Sequence, residues 1–306
     1  MTRVAAIDCG TNSLRLLIAD ITGERKSDLH REMRVVRLGE GVDRTGSLAP
    51  QAIERTRVAL ADYAATCREL QVDHLRMVAT SASRDASNSE DFRTMVVEVL
   101  GAQPEVISGD EEAALSFLGA TKDLTGGPFL VMDIGGGSTE IVLGEEAVTA
   151  ARSVDIGCVR LTERHLRSDP PTAAEVAAAE SDIDAAIALV REIVPVEQAA
   201  TAVGLAGSVT TVAALALDLP SYDAVQIHLS RISAGDIDKV TSDLLAMTRA
   251  ERAALPVMHP GRVDVIGAGA LILRRLVERL GLVEVLVSEA DILDGIAWSI
   301  ARSVDG

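Results

Sequence analysis

Aromatic residues are scarce in this chain of 306 residues, where one Trp, two Tyr and three Phe make up 2% of the sequence. Sites that bind single-stranded nucleic acid need such rings, because the bases stack on them. A basic excess is lacking as well, since 29 Lys and Arg stand against 46 Asp and Glu and the net charge is −17. Nucleic-acid-binding domains normally carry a basic surface. We therefore expect no nucleic-acid partner.

Cysteine pairs and long apolar runs are also missing. Cys9, Cys67 and Cys158 are widely spaced and form no CxxC pair, which argues against a disulfide framework or a zinc cage. No apolar run approaches the roughly 18 residues that a membrane-spanning helix needs. The N-terminus also lacks the successive segments of a signal peptide. These absences predict a cytoplasmic protein with no membrane partner.

Several common catalytic motifs are absent too. The chain has no GxxxxGK[ST] P-loop, no GxGxxG that opens a dinucleotide-binding unit, no HExxH and no GxSxG. An acidic protein can still hold an anion, because oriented backbone N–H groups, a few arginines and a divalent metal provide local attraction.

A sequence repeat is the strongest signal in the chain. Residues 5–13 and 130–138 both read as an apolar run followed by D-x-G-x-x-S, and a second apolar run follows each copy. One such match is weak evidence, but two matched copies, each at the head of one half, indicate a duplicated lobe. Each copy predicts a β-hairpin with the polar residues in its turn.

The break between the two halves lies at Gly126-Gly127-Pro128. We therefore divide the chain into an N-terminal lobe, residues 1–124, and a C-terminal lobe, residues 125–306, with a last helix that can pack back on the first lobe. Helical spacing over residues 51–70 and a strand-like run at 74–79 indicate that helices and strands alternate in an α/β fold.

Both repeated turns carry groups that suit phosphate. Glycines let backbone N–H groups approach an anion, and hydroxyl and amide side chains add donors. The candidate phosphate-binding residues are Gly10, Thr11, Asn12 and Ser13 in the first turn and Gly135, Gly136, Gly137 and Ser138 in the second. Asp8 and Asp133 have the wrong charge for phosphate and are interpreted as ligands of Mg²⁺ or of its waters. The alternative is two ordinary turns whose polar groups satisfy the backbone.

Acidic residues near the turns are candidates for catalysis. Asp110, Glu111 and Glu112 begin a predicted helix, where acids also stabilise the helix N-terminus. The functional alternative is that one of them acts as the general base that activates water. Because successive helical residues differ by about 100° in direction, the pattern alone does not decide between Glu111 and Glu112. Glu140 alternates with apolar neighbours and can face the site, or else it is a surface acid.

Two further segments predict phosphate contacts. Arg84 follows the predicted strand 74–79 and is a candidate phosphate clamp, with a solvated arginine as the alternative. Gly207 and Ser208 stand where a predicted strand meets a helix N-terminus, a place at which phosphate can bind. A simple tight turn is the alternative there.

Together these segments resemble the exopolyphosphatase / guanosine pentaphosphate phosphohydrolase (Ppx/GppA) family of the actin-like ATPase and sugar-kinase superfamily. The resemblance runs in the family's order from residue 4 to about residue 300 and rests on residues 8–13, 79–88, 107–113, 133–140, 157–161 and 204–210. It implies two ribonuclease-H-like lobes with an active-site cleft between them.

The resemblance also implies an activity and a set of roles. The activity is release of orthophosphate from the end of polyphosphate with Mg²⁺, or Mn²⁺ as an alternative metal, by a homodimer. Glu112 matches the family's catalytic glutamate, and Asp133 and Glu140 match its acidic companions, which we also count with Asp8 as metal ligands. Phosphate-binding roles fall on Asn12, Ser13, Arg84, Gly136, Gly137, Ser138, Gly207 and Ser208.

Other functions stay open at this stage. Longer family members carry an additional helical C-terminal domain that is not seen up to Gly306, which predicts a preference for short polyphosphate. A guanosine pentaphosphate 5′-phosphohydrolase would use the same chemistry, although scarce aromatics disfavour guanine recognition. A non-catalytic sensor of polyphosphate or nucleotides is disfavoured by Glu112, Asp133 and Glu140, since a binder needs no base. An ATP-dependent kinase of the same superfamily lacks an acceptor-site signature.

Overall fold

A computed structural model describes residues 1–305 and the side chains of residues 1–303. The strands are β1 (Thr2–Cys9), β2 (Ser13–Thr22), β3 (Arg25–Val35), β4 (His74–Ala79), β5 (Glu105–Val106), β6 (Phe129–Ile134), β7 (Thr139–Gly144), β8 (Val148–Val154), β9 (Thr201–Leu205), β10 (Arg231–Ser233) and β11 (Glu284–Val287). Both predicted hairpins are present, and the strand predicted at 74–79 has those bounds.

The helices alternate with these strands. They are α1 (Val42–Thr45), α2 (Pro50–Glu69), α3 (Ser81–Asp85), α4 (Ser89–Leu100), α5 (Gly109–Thr121), α6 (Cys158–Arg164), α7 (Ala173–Arg191), α8 (Ala206–Ala216), α9 (Ala224–Ile227), α10 (Ala234–Ala246), α11 (Arg249–Ala253), α12 (Ile266–Leu280) and α13 (Ile292–Asp305), with a 3₁₀ turn at Val196–Gln198. None of the described helices is both long and apolar enough to cross a membrane.

The chain forms two compact units. Unit 1 consists of residues 1–119 and helix α13, and unit 2 consists of residues 120–291. The division after residue 124 that the sequence suggested differs from these bounds by a few residues. It counted residues 292–306 with the second lobe but allowed the last helix to pack back on the first lobe, and α13 does belong to unit 1.

Unit 1 is built on a five-stranded sheet of order β3-β2-β1-β4-β5. The first three strands form antiparallel hairpins, and β4 runs parallel to β1. Strand β1 is buried on both faces. Successive side chains of a strand point to opposite sides of the sheet, so alternate residues of β1 enter two different cores. Ala5, Ile7 and Cys9 join one core, and Val4 and Ala6 join the other. The central hairpin is therefore fixed by packing from both faces.

Helix α13 covers the second face of this sheet. Its Ile292, Ile296 and Ile300 are buried in the core that contains Val4 and Ala6. The apolar side chains of α13 recur at helical spacing and form one apolar face. This face packs against β1, which explains why α13 belongs to unit 1.

Ion pairs hold the same helix. Asp294 is 2% exposed and accepts contacts from Lys26 at 2.9 Å and Arg31 at 2.7 Å. Arg76 donates a hydrogen bond to the Ser299 hydroxyl at 2.8 Å. These partners lie on β3 and β4, so α13 is tied to strands well apart in the sheet order.

Unit 2 repeats this topology and confirms the two-sheet α/β fold expected from the sequence repeat. Its six-stranded sheet has the order β10-β11-β9-β6-β7-β8. Strands β6, β7 and β8 form antiparallel hairpins, and β9 runs parallel to β6. Strands β6, β7, β8 and β9 correspond in turn to β1, β2, β3 and β4 of unit 1. Strand β10 is an additional strand at the edge of the sheet beyond β11.

Some elements gave no clear signal in the sequence. Strand β3 has the sequence Arg25–Val35, RKSDLHREMRV, and lies at a sheet edge with much of its length exposed. Edge strands that carry charged side chains lack the apolar run by which strands are recognised. The three cysteines are buried and free.

Gly295 gives a test of the α13 packing. A Cβ atom at this position would overlap the backbone of Leu115 on α5, which cannot move away as a side-chain end can. We expect Gly295→Ala to lower the free energy of unfolding by about 1–3 kcal/mol, as overpacked cores do.

Gly235→Ala is the matched control, because the nearest atom to its Cβ would be a Ser233 hydroxyl at 3.7 Å. Thermal melts followed by circular dichroism make the comparison. Equal melting temperatures for the two variants would contradict the packing assigned to α13.

Candidate active site

The first turn lies between β1 and β2 and is fixed by backbone hydrogen bonds. Gly10 N–H donates to the Ser13 carbonyl at 3.0 Å, and the carbonyl of Asn12 accepts from Val36 and Arg37 N–H at 3.0 and 2.9 Å. The Thr11 hydroxyl lies 2.9 Å from the Ser81 hydroxyl at the start of α3. The structure thus brings the predicted residues 10–13 beside the segment that carries Arg84.

Asp8 is held by an arginine that the sequence analysis did not single out. Asp8 and Arg15 are opposite each other in the β1–β2 register. Arg15 donates to Asp8 Oδ2 from Nε at 2.9 Å and from Nη2 at 2.7 Å. Asp8 is 4% exposed, so the guanidinium compensates a buried carboxylate. Both hydrogen bonds end on Oδ2 of Asp8, the residue that the sequence predicted as a metal ligand from its place at a strand end.

Glu111 and Glu112, which the sequence pattern could not separate, occupy different surroundings. Glu112 is 8% exposed and its Oε2 accepts from Arg84 Nη1 at 3.1 Å. The same Arg84 nitrogen donates to the Ile107 carbonyl at 3.1 Å. Glu111 points elsewhere, because its carboxylate accepts from Arg76 at 2.7 Å in an exposed ion pair. Glu112 and Arg84 are thus brought together, while Glu111 belongs to a surface pair.

The second turn, between β6 and β7, repeats the first. Gly135 N–H donates to the Ser138 carbonyl at 3.0 Å, the same bond that Gly10 makes to Ser13. Ser138 is buried and Gly136 is partly exposed.

The start of α6 braces this second turn. Backbone N–H groups of Cys158, Val159 and Arg160 donate to the carbonyls of Gly135 and Gly136 at 2.9–3.1 Å, and Arg160 Nε donates to the Gly137 carbonyl at 2.7 Å. A Cβ at Gly157 would overlap the backbone of Gly136 and Gly137, so only glycine permits this approach. With their carbonyls engaged on that side, the glycines keep a fixed orientation of their peptide groups.

Asp133 and Glu140 form the acidic pair of unit 2. They are opposite each other in the β6–β7 register, in the positions that Asp8 and Arg15 hold in unit 1. Asp133 is 7% exposed and Glu140 1%, and the Ser153 hydroxyl donates to Glu140 Oε1 at 2.7 Å. The neighbouring Ile141 belongs to the apolar core, so Glu140 lies on the opposite face of its strand, as the alternation predicted.

Gly207 and Ser208 lie beside the second turn. Because β9 runs parallel to β6, with Leu205 opposite Asp133, the chain leaves both strands at the same sheet edge. Cys158 connects the second turn with α8, since its N–H donates to the Gly135 carbonyl and its side chain lies, like that of Ser208, against Gly269. Burial raises the pKa of the Cys158 thiol, so this cysteine stays neutral and serves as packing. Helix α8 has no side-chain cap at its N-terminus.

Arg262 is a second functional candidate that sequence reasoning missed. Its guanidinium lies against Gly207, where a Cβ would overlap it, and Nη1 donates to the Thr211 hydroxyl at 3.1 Å. Among the described residues no carboxylate forms an ion pair with it. Arg262 lies far along the chain in a segment without a recognised motif, so only the fold could reveal its position at the start of α8.

The donor set of unit 2 fits a divalent metal of the Mg²⁺ type. Mg²⁺ in phosphoryl-transfer sites is held by one or two carboxylates together with substrate phosphates and waters. Asp133 and Glu140 provide two carboxylates on adjacent strands. Among the residues the structure describes, no group of three or more His, Cys, Asp or Glu side chains could hold a metal alone. The protein residues therefore suit a metal that substrate completes.

Comparison with known proteins places these features in a family. The model described as "Ppx/GppA phosphatase family" matches residues 17–303. An exopolyphosphatase 2 of Mycobacterium tuberculosis is 55% identical over 317 residues, which cover 98% of this chain and 99% of that protein.

Solved structures agree in fold. The crystal structure of an exopolyphosphatase-like protein aligns with a TM-score of 0.97 at 41% identity, covering 100% of this chain and 99% of that one. An exopolyphosphatase from Cytophaga hutchinsonii aligns with a TM-score of 0.90 at 26% identity, covering 99% and 98%.

The brace at the second turn can be tested with Gly157→Ala. The added methyl must displace the backbone of Gly136 or Gly137, so we expect tripolyphosphate affinity to fall by at least about tenfold, equivalent to 1.4 kcal/mol. Isothermal titration calorimetry measures the affinity. Gly267→Ala is the control, since its Cβ would meet only Leu245 Cδ2 at 3.4 Å. Unchanged affinity in a folded Gly157→Ala variant would remove the turn from the anion site.

Proposed function

The chain belongs to the Ppx/GppA phosphatase family, and from that premise we propose that it is an exopolyphosphatase, which hydrolyses the terminal phosphoanhydride bond of inorganic polyphosphate. The observation that carries this proposal is the arrangement at one edge of the unit 2 sheet. There the glycine turn of residues 135–138 and the uncapped N-terminus of α8 lie side by side, with the acids Asp133 and Glu140 directly behind the turn.

Two kinds of donor favour a polyphosphate chain as the ligand in unit 2. Helix N-termini attract phosphate through unsatisfied N–H groups and the helix dipole. The guanidinium of Arg262, which lies on Gly207, adds a full positive charge at the same place. Arginine and backbone donors together recognise successive phosphates without any contact to a base or sugar.

Glu112 is the general base in this proposal. Its burial and its contact with Arg84 hold the carboxylate in one position, which general-base catalysis requires. Glu112 accepts a proton from the attacking water, the water oxygen bonds to the terminal phosphorus, and the anhydride oxygen leaves with the shortened chain. Arg84 is placed to bind the transferred phosphoryl group, since a guanidinium in contact with the base can also donate to phosphate oxygens.

Asp133 and Glu140 would hold the divalent metal in the proposed reaction. When bound, the metal neutralises phosphate oxygens and the charge that develops on the leaving group. The Ser153 hydroxyl orients Glu140 for this role through its hydrogen bond of 2.7 Å. Asp8, already paired with Arg15, orders the first turn instead of binding metal.

Glu112→Gln tests the base directly. We expect kcat for orthophosphate release from short polyphosphate to fall by about 10²–10⁴-fold, the usual contribution of a general base. Binding of the substrate should be retained, because the amide has the same shape. Phosphate release is followed with a colorimetric assay, and binding by calorimetry.

Glu111→Gln is the matched control for that variant. It removes the adjacent carboxylate of the same helix, whose partner is Arg76, and should leave kcat near that of the wild type. If the two variants lose activity equally, or if Glu112→Gln loses binding alone, the assignment of the base is wrong.

The assignment of Asp133 and Glu140 as metal ligands predicts which variant needs more Mg²⁺ for activity. Glu140→Gln removes one carboxylate of the metal-binding pair, so the Mg²⁺ concentration for half-maximal activity should rise by about tenfold or more. Asp8→Asn should lower activity without moving that midpoint, because its partner is Arg15. Magnesium titrations of the three proteins decide the matter, and a midpoint that shifts in Asp8→Asn would return this residue to the metal site.

A further inference from the structure

A short sequence segment occurs once in each half of the chain, outside the two repeated turns. Val-Arg-Leu stands at residues 36–38 and again at residues 159–161. The first copy directly follows β3, and the second lies in the first turn of α6, shortly after β8. Strands β3 and β8 hold equivalent places in the two sheets, and Leu38 and Leu161 are both fully buried. The duplication of the chain therefore extends to this segment.

Each copy of the segment holds a carbonyl group of the turn in its own unit. In unit 1 the first two N–H groups of residues 36–38 donate to the Asn12 carbonyl at 3.0 and 2.9 Å. In unit 2 the first two N–H groups of residues 159–161 donate to the Gly136 carbonyl at 2.9 and 3.1 Å. The same backbone contact thus braces both turns.

The second turn is held through three successive carbonyl groups. Backbone N–H groups at the start of α6 donate to the carbonyls of Gly135 and Gly136. The third carbonyl, that of Gly137, accepts instead from Nε of the Arg160 side chain at 2.7 Å. Because the C=O and N–H groups of one trans peptide point in opposite directions, the three N–H groups that follow these carbonyls are turned away from α6.

The N–H groups oriented in this way belong to Gly136, Gly137 and Ser138. Within the part of the chain that the structure describes, no protein group accepts a hydrogen bond from any of the three. Gly137 and Ser138 are buried residues, and a buried N–H group is destabilising unless an acceptor is supplied. Successive N–H groups held in a fixed orientation bind the oxygens of an anion.

We propose that Arg160 is a positioning residue for the hydrolysis of polyphosphate. Its Nε–H bond holds the last peptide of the second turn, so that the Ser138 N–H joins those of Gly136 and Gly137 in binding a substrate phosphate. The inference rests on the proposed function, because it concerns the same phosphate turn. Arg160 acts through the Gly137 carbonyl, and a guanidinium suits this role because its planar N–H groups have fixed directions.

Arg160→Ala removes the Nε–H bond and leaves the backbone N–H of residue 160 in place. We expect KM for tripolyphosphate to rise by about tenfold or more and kcat to change by less than about threefold, because the turn binds substrate and transition state alike. Arg160→Lys keeps the charge without the directed N–H and should show most of the same rise. Assays of orthophosphate release give both constants, and a wild-type KM in either variant would overturn the proposal.

Arg164→Ala is the matched control, since Arg164 lies one turn further along α6. It pairs with Asp182 at 2.8 Å, so the variant removes the same charge from the same helix and should keep the wild-type KM. Equal rises of KM in the Arg160 and Arg164 variants would contradict a specific role for Arg160. Thermal melts establish that each variant is folded, and Arg160→Lys alone decides the test if Arg160→Ala does not fold.

Free guanidinium provides a chemical test of the missing bond. At concentrations far below those that denature proteins, guanidinium chloride should lower the raised KM of Arg160→Ala. It should not rescue Gly157→Ala, in which the arginine is present and the turn itself is displaced. Sodium chloride at the same concentration controls for ionic strength. Rescue of both variants, or of neither, counts against the positioning role.

The positioning role and the proposed function fail in different ways. Calorimetric binding of tripolyphosphate requires no turnover. A wild-type protein that hydrolyses no polyphosphate, but whose affinity for tripolyphosphate falls in Arg160→Ala, would overturn the exopolyphosphatase function and support the positioning role. Hydrolysis by the wild type, with unchanged KM and affinity in Arg160→Ala, would support the enzyme and overturn the role of Arg160.

Discussion

Parallel pairing of two strands sets the position of almost every candidate group in this protein. In unit 1, β4 lies beside β1 with Ala79 opposite Cys9, and in unit 2, β9 lies beside β6 with Leu205 opposite Asp133. The chain therefore leaves both strands of each pair at one sheet edge, with a hairpin turn after one and a helix after the other. Packing fixes that register, since a slip of one residue would exchange the two buried faces of β1 and turn Asp8 into the apolar core that holds Ile7 and Cys9.

The duplicated halves have diverged at one pair of positions. The residue that faces the strand-end aspartate is Arg15 in unit 1 and Glu140 in unit 2. An arginine there neutralises the aspartate, whereas a glutamate concentrates negative charge that a divalent cation can offset. The same register thus pairs the strand-end aspartate with a cation in one half and with a second acid in the other, where we propose that a metal binds.

The sequence predicted the fold class, both hairpins and the candidate turns, because these depend on local patterns of apolar residues and glycine. It did not reveal Arg15 or Arg262. Arg15 looks like an ordinary polar residue of a strand, and its importance comes from the register that places it opposite Asp8. Arg262 reaches the start of α8 only through tertiary packing.

Net charge is a poor guide to what this protein binds. The chain carries −17, yet many of its acids are already engaged by arginines, as Asp184 is by Arg275 and Arg279 on α12. Ion pairs at the surface act weakly beyond a screening length of about 10 Å. At the start of α8 the nearby groups are helix N–H dipoles and Arg262. Affinity for an anion therefore depends on the electrostatic field at the binding site and not on the total charge of the protein. The acidic remainder of the surface repels phosphate, so phosphate binds only where the local groups attract it.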